Sequence, residues 1–196
     1  SIQKMYEEGF ESLTLINYLL SIGTSKNLSK EKDIDKLVSE FNINALGSSS
    51  PKFSLNVLTS LNREIIKLYN FTEIKQRFID SNINDAEEGF WIFIKNNINF
   101  FRESFDWFKI IYSDEVYINE TNDYLINAAN LLPNDPFDLD TWESWTNLIK
   151  NKTGRKGKDL YMPIRLALTG REKGPELKYL LPLLTKQHIL KKLCYI

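Results

Sequence analysis

The chain has 196 residues, of which 42% are hydrophobic and 26% charged, and its formal net charge is −1. A chain of this length and composition buries a real core and suits one or two compact domains. No run of roughly eighteen consecutive apolar residues occurs, and Ser1-Ile2-Gln3-Lys4 is not a basic-then-apolar leader, so no membrane partner and a cytoplasmic location are expected. The single cysteine, Cys194, has no internal partner, and no Cys or His cluster has zinc-site spacing, which argues against metal or redox chemistry.

The charge balance hides a strong segregation. From Glu103 to Ile149 ten acidic residues stand against one basic, and from Lys150 to Ile196 twelve basic against three acidic. The basic tail raises the local concentration of a polyanion and makes its binding salt-sensitive by counterion release. The bland alternative is that the two blocks neutralise each other.

Apolar residues recur at helical spacing almost throughout, and strand-like alternation is rare, so the reading is an all-α chain of eight to ten helices. The first helix is expected from Ile2 to Ser21, stopping at Gly23, a left-handed terminator. A polar connector, Thr24 to Lys30, leads to a short helix around Asp33 to Phe41. Gly47-Ser48-Ser49-Ser50-Pro51 reads as a loop, with Pro51 suited to the first turn of the next helix. Helices then follow over Leu55 to Tyr69 and Thr72 to Ile79.

A long aromatic helix is expected from Asp85 to Tyr112, opened by a capping box of Asn84 and Glu87. Phe90, Trp91, Phe93, Ile94, Phe100, Phe101, Phe105, Trp107 and Phe108 cover more than one of its faces, so it reads as central and buried, its rings packing a core. Leu132-Pro133-Asn134-Asp135-Pro136 marks a bundle boundary. Asp140 and Glu143 suit the start of a helix over Thr141 to Lys150, which carries Trp142 and Trp145 and ends at Thr153-Gly154. The last part reads as a helix over Lys158 to Leu168 interrupted at Pro163, a turn at Thr169-Gly170, and short helices over Pro175 to Leu184 and Lys186 to Tyr195.

No catalytic constellation is legible. His188 has no carboxylate or nucleophile beside it in a recognisable motif, and the pairs Asp114/Glu115 and Glu87/Glu88 read as solvated helix ends. Gly154-Arg155-Lys156-Gly157-Lys158 lacks the Lys-Ser/Thr ending of a phosphate loop. It is instead a basic turn feeding a helix N-terminus, where free amides and the helix dipole suit phosphate oxygens.

The run Thr153-Gly154-Arg155-Lys156-Gly157-Lys158-Asp159-Leu160-Tyr161-Met162-Pro163-Ile164-Arg165-Leu166-Ala167-Leu168-Thr169-Gly170-Arg171-Glu172-Lys173-Gly174-Pro175-Glu176-Leu177 resembles the signature of the anticodon-binding domains of bacterial glutamyl-tRNA synthetases, class I aminoacyl-tRNA synthetases. Upstream, Glu8-Gly9-Phe10 with Leu15-Ile16-Asn17-Tyr18-Leu19 is similar to the family's first helix after the class I signature loop. Pro51-Lys52-Phe53 with Leu58 and Leu61-Asn62 resembles its next stretch, with Ser60 where the family usually has tryptophan.

The resemblance implies a stem-contact helical region over residues 1–66, a first anticodon-arm bundle over 67–133 and a C-terminal anticodon-binding bundle over 134–196. It implies a fragment of a longer ligase that joins glutamate to tRNA(Glu) with ATP and Mg2+ on a Rossmann domain outside this chain. By that resemblance the chain has no catalytic residue and binds no cofactor or metal of its own, and a monomer is expected.

Also by resemblance, Arg165 meets the first anticodon base, with Pro175 and Leu177 lining its pocket. Lys156, Lys158 and Arg171 serve as phosphate contacts. A planar guanidinium suits a splayed base, either along its edge or across its ring. The alternative for Arg165 is an ion pair with the acidic bundle. Members that reject tRNA(Gln) often carry an arginine near the position of Asn97, where this chain has Asn96, Asn97 and Asn99, so relaxed specificity extending to tRNA(Gln) is an expectation. The competing reading is a stand-alone helical protein-interaction module, which accounts for the acidic block but not for the Gly154 to Leu177 run.

Overall fold

The computed structural model describes residues 1–22, 24, 30–47, 52–118 and 122–194. Among them the regular structure is all-α, with an isolated antiparallel bridge between Thr24 and Leu46. The helices are α1 (Ile2–Glu7), α2 (Ser12–Ile22), α3 (Ile34–Glu40), α4 (Leu55–Leu68), α5 (Phe71–Asp80), α6 (Glu88–Ile94), α7 (Glu103–Tyr112), α8 (Asp123–Asn130), α9 (Thr141–Thr153), α10 (Lys158–Thr169), α11 (Leu177–Leu180) and α12 (Lys186–Cys194). Gly23 and residues 48–51, on which the expected helix stop and part of the serine loop fall, lie outside the described residues. The chain forms two compact units, one of residues 1–85 with 98–105, the other of residues 86–97 with 106–196.

The first unit rests on α2 against α4. Leu15 and Tyr18 pack with Leu58, Leu61 and Ile65, and Phe10 meets Phe100 edge-on at 5.0 Å between centroids. The single helix expected over Ile2 to Ser21 is two, because Gly9 takes φ +95°, a backbone region that ends α1 and that L side chains rarely adopt. Two fully buried asparagines organise this unit. Asn62 accepts from the Glu11 amide and the Thr14 hydroxyl, each at 2.8 Å, and donates to the Asn99 carbonyl at 2.6 Å. Asn17 donates to the Leu13 and Glu31 carbonyls, both at 2.8 Å, and accepts from the Glu31 amide. Such buried amides are tolerated because their donors and acceptors are satisfied.

The long helix expected over Asp85 to Tyr112 is also two helices, α6 and α7. Between them the asparagine-rich stretch leaves the helical ladder and its backbone bonds to side chains: the Glu103 carboxylate accepts from the Asn99 and Phe100 amides at 3.3 and 3.2 Å. Asparagine favours such local bonding over helix interiors. The expected core role of the aromatic residues holds across the break, with Phe90, Trp91, Phe93, Phe101 and Trp107 all buried. The capping box expected of Asn84 and Glu87 does not form, since Glu87 itself is the N-cap and makes no side-chain cap bond. A complete box opens α5 instead, from Asn70 and Glu73.

In the second unit α12 packs on α8 and α10, and α9 on α8, α10 and α11. Trp145 on α9 is fully buried and donates its indole N–H to the Ala128 carbonyl at 2.9 Å. The expected cap by Asp140 is not made. The neighbouring Asp138 carboxylate takes the Thr141 amide at 2.8 Å and its hydroxyl at 2.7 Å, bonds that hold it below the usual carboxylate range. Gly154 ends α9 at φ +72° and Gly170 ends α10 at φ +64°, both as left-handed caps.

Helix α10 runs without interruption through Pro163, contrary to the expected break. A proline has no amide for the carbonyl four residues back, which leaves the Asp159 carbonyl without its ladder partner. Arg155 Nη1 donates to that carbonyl at 3.4 Å, and its guanidinium lies 4.0 Å from the centre of the Tyr124 ring. The Tyr124 hydroxyl in turn donates to the Leu160 carbonyl. No helix among the described residues is long and apolar enough to cross a membrane.

Candidate functional site

Helix α10 presents Tyr161 and Arg165 four residues apart, hence on one face. Arg165 is half-buried, and its Nη2 donates to the Pro175 carbonyl at 2.9 Å. Its Nη1 is buried and has no hydrogen-bond partner among the described residues. A Cβ built on Gly174 would stand 3.6 Å from that Nη1 and only 2.4 Å from Cη2 of the Trp107 ring, so a residue without a side chain is required there for the 174–177 segment to close over Trp107. Burial lowers the Arg165 pKa, yet a guanidinium keeps its charge near neutrality.

The open side of this arrangement is a depression of about 230 Å³ lined by Trp142, Tyr161, Arg165, Glu176, Leu177 and Lys178. The Trp142 and Tyr161 rings lie 5.9 Å apart between centroids with a 36° tilt. Lys178 pairs with Glu176 at 3.2 Å, and hydrogen bonds to Glu176 and Tyr179 raise its pKa. The sequence-predicted trio is therefore brought together: Arg165 and Leu177 line the depression, and Pro175, itself buried, fixes the guanidinium through its carbonyl. Arg165 bonds a backbone carbonyl rather than the acidic block.

The other expected residues stand elsewhere in this unit. Lys158 lines a larger depression of about 770 Å³ with Arg155, Asp159, Met162, Pro163 and Leu166, and Lys156 is exposed on the preceding loop. Arg171 lies 5.0 Å over the Trp107 ring and borders a third depression with Asp106, Lys109 and Tyr117. Asn97 is exposed just past α6, its amide bonded to the Ile94 carbonyl at 2.8 Å. Of the two charge blocks, Lys191 meets Asp114 at 2.8 Å. His188 is half-buried, and burial foremost lowers its pKa.

Trp142, Tyr161 and Lys178 were missed as site residues. The four-residue spacing of Tyr161 and Arg165 was the signal available in the sequence, and the approach of Trp142 from another helix had none.

Fold and site define an all-α class of protein whose second unit sets a half-buried guanidinium beside two aromatic rings, an arrangement suited to planar, hydrogen-bonding ligands. A family model described as "Anticodon binding domain" matches residues 88–195, more than half of the chain, and the chain belongs to that family. Among curated relatives, Glutamate--tRNA ligase 1 of Rickettsia typhi is 36% identical over 189 residues, covering 95% of this chain and 42% of the relative. Glutamate--tRNA ligase of Azospirillum brasilense is 37% identical over 187 residues, covering 95% and 42%. The chain thus spans less than half the length of the relatives it matches. A crystal structure of a glutamate tRNA ligase from Elizabethkingia meningosepticum CCUG26117 in complex with its amino acid shares the fold, with a TM-score of 0.76 at 17% identity, over 96% of this chain and 41% of that one.

Proposed function

We propose that this chain is the tRNA-gripping part of a glutamate–tRNA ligase, and that its second unit reads the anticodon. The observation that carries the reading is Arg165, a half-buried guanidinium tethered by Pro175 and lining a depression together with Leu177. Held in this way, the group loses little conformational freedom when it meets a base edge. Lys156, Lys158 and Arg171 are proposed phosphate contacts, placed around the same helix rather than in the depression. Residues 1–66 are the proposed stem-contact region, with residues 67–133 and 134–196 the two anticodon-arm bundles.

In the longer enzyme, ATP and Mg2+ serve the joining of glutamate to tRNA(Glu) on a domain outside this chain, in the cytoplasm, and the protein acts as a monomer. The exposed Asn97, where an arginine often stands in discriminating members, supports acceptance of tRNA(Gln) as well.

Filter binding of the chain to unfractionated tRNA across a salt series tests the reading. The expected result is a complex that weakens steadily with salt, is comparable for purified tRNA(Glu) and tRNA(Gln), and loses about 1–3 kcal/mol in Arg165→Ala if that residue reads a base. Absence of RNA affinity at every salt concentration leaves the stand-alone interaction module as the better account. A strong preference for tRNA(Glu) removes the relaxed specificity.

A further inference from the structure

The depression beside Arg165 holds more than that residue needs. Trp142 sits in the first turn of α9, with its ring edge-on to Trp145 at 5.9 Å, and Trp145 is itself locked by its bond to the Ala128 carbonyl. Tyr161 comes from α10 and leaves 43% of its surface to solvent, although it packs beside Trp142. Trp142 and Trp145 stand three positions apart, and the contrast between them is informative. Trp145 is 0% exposed and does the packing that this part of the fold requires, whereas Trp142 stays half-buried at the rim of the depression. Two rings held by a rigid neighbour and left partly open form a ready π surface.

The chemistry around the rings narrows the ligand. Arg165 and Lys178 border them, both cationic, and Glu176 is already engaged by Lys178. The space, about 230 Å³, is smaller than the usual pocket for a drug-sized molecule and suits a single planar ring system. A planar group that enjoys stacking on aromatic side chains and carries negative charge on its linker is a nucleobase in a single strand. Arg165 offers hydrogen bonds to an edge, and the rings offer a face.

We propose that Trp142 and Tyr161 form a stacking wall for the face of the base whose edge Arg165 meets, with Lys178 toward its phosphate. This wall rests on the anticodon-reading function proposed above and adds to it a sequence-tolerant contact: it grips any base in that position, so it contributes affinity without selecting among tRNAs.

The test uses the full 196-residue chain with tRNA and with synthetic anticodon stem-loops. Tryptophan fluorescence is followed during titration, with filter binding in parallel, for the wild type, Trp142→Leu, Tyr161→Leu and Arg165→Ala. The expected result is quenching in the wild type that largely disappears in Trp142→Leu, and a loss of affinity of about five- to one-hundred-fold in each aromatic variant. A stem-loop made abasic at the loop position that Arg165 meets should bind weakly and no longer distinguish Trp142→Leu from the wild type, while replacing the base by another should change the affinity of the wild type and of Tyr161→Leu by the same factor. Tyr161, being more exposed, supplies the decisive variant if Trp142→Leu fails to fold.

Wild-type affinity in Tyr161→Leu, with Arg165→Ala still weakened, overturns the wall and leaves the anticodon reading standing. A wild-type chain that binds no RNA overturns both.

Discussion

Gly174 shows how one backbone position shapes the site. A Cβ there would meet two atoms of the Trp107 ring at 2.4 and 2.6 Å, and Trp107 is only 4% exposed, so the ring has nowhere to go. Gly174→Ala is expected to cost about 1–3 kcal/mol by overpacking, read as a lowered urea midpoint. Because the next residue tethers Arg165, RNA affinity should fall in the same variant at temperatures where it is folded. An unchanged midpoint contradicts this account of the close approach.

Lys192 makes a second residue-scale case. It is 1% exposed, and its ammonium donates to the Ile110 and Glu115 carbonyls at 3.0 and 2.9 Å, with the Tyr117 ring 4.9 Å away. Burial pushes its pKa down from 10.5 to about 8. Between those values the unfolded chain holds more protons than the folded one, so this residue makes stability rise with pH through that window. Relative to Lys192→Met, the wild type should gain on the order of 2 kcal/mol from pH 8 to pH 10. Melting curves that run parallel in the two proteins would refute the shift. Above pH 10 the tyrosines Tyr69, Tyr112 and Tyr124, pushed up to about 12 chiefly by desolvation, pull the other way, since the unfolded chain loses their protons first.

At the scale of elements, α10 joins the basic loop to the site. Pro163 frees the Asp159 carbonyl and Arg155 takes it, so the two residues should be coupled. In a double-mutant cycle, Arg155→Ala is expected to cost about 0.5–1 kcal/mol more in the wild type than in the Pro163→Ala background, where the restored amide satisfies the same carbonyl. Strict additivity denies that link.

The sequence made most helices legible, because burial of one face imposes a 3.6-residue period on Leu55 to Leu68 or Lys158 to Thr169. It misled where local bonding overrode that period. Gly9 splits α1 from α2, and Glu103 captures the amides between α6 and α7, although the apolar spacing runs straight through both places. The trio Arg165, Pro175 and Leu177 was legible through the family resemblance, since one local segment carries it. Trp142 was not, because it reaches the depression through the packing of α9 on α10, which no local spacing announces.

For the whole molecule, the two units are not consecutive in the chain: residues 98–105 belong with residues 1–85, while residues 86–97 and 106–196 form the other unit. The family match, residues 88–195, takes in residues 98–105, so its span and that of the compact unit disagree. A truncated chain starting at residue 86 would carry Ile98 and Phe101, 0% and 4% exposed in the intact protein, into solvent with the rest of their own unit deleted. Such a truncation is expected to self-associate, as seen by light scattering, and Phe101→Ser together with Ile98→Ser should restore a dispersed species. A recombination that moves the second unit as one continuous stretch must therefore carry residues 98–105 along with it, away from the residues they cluster with.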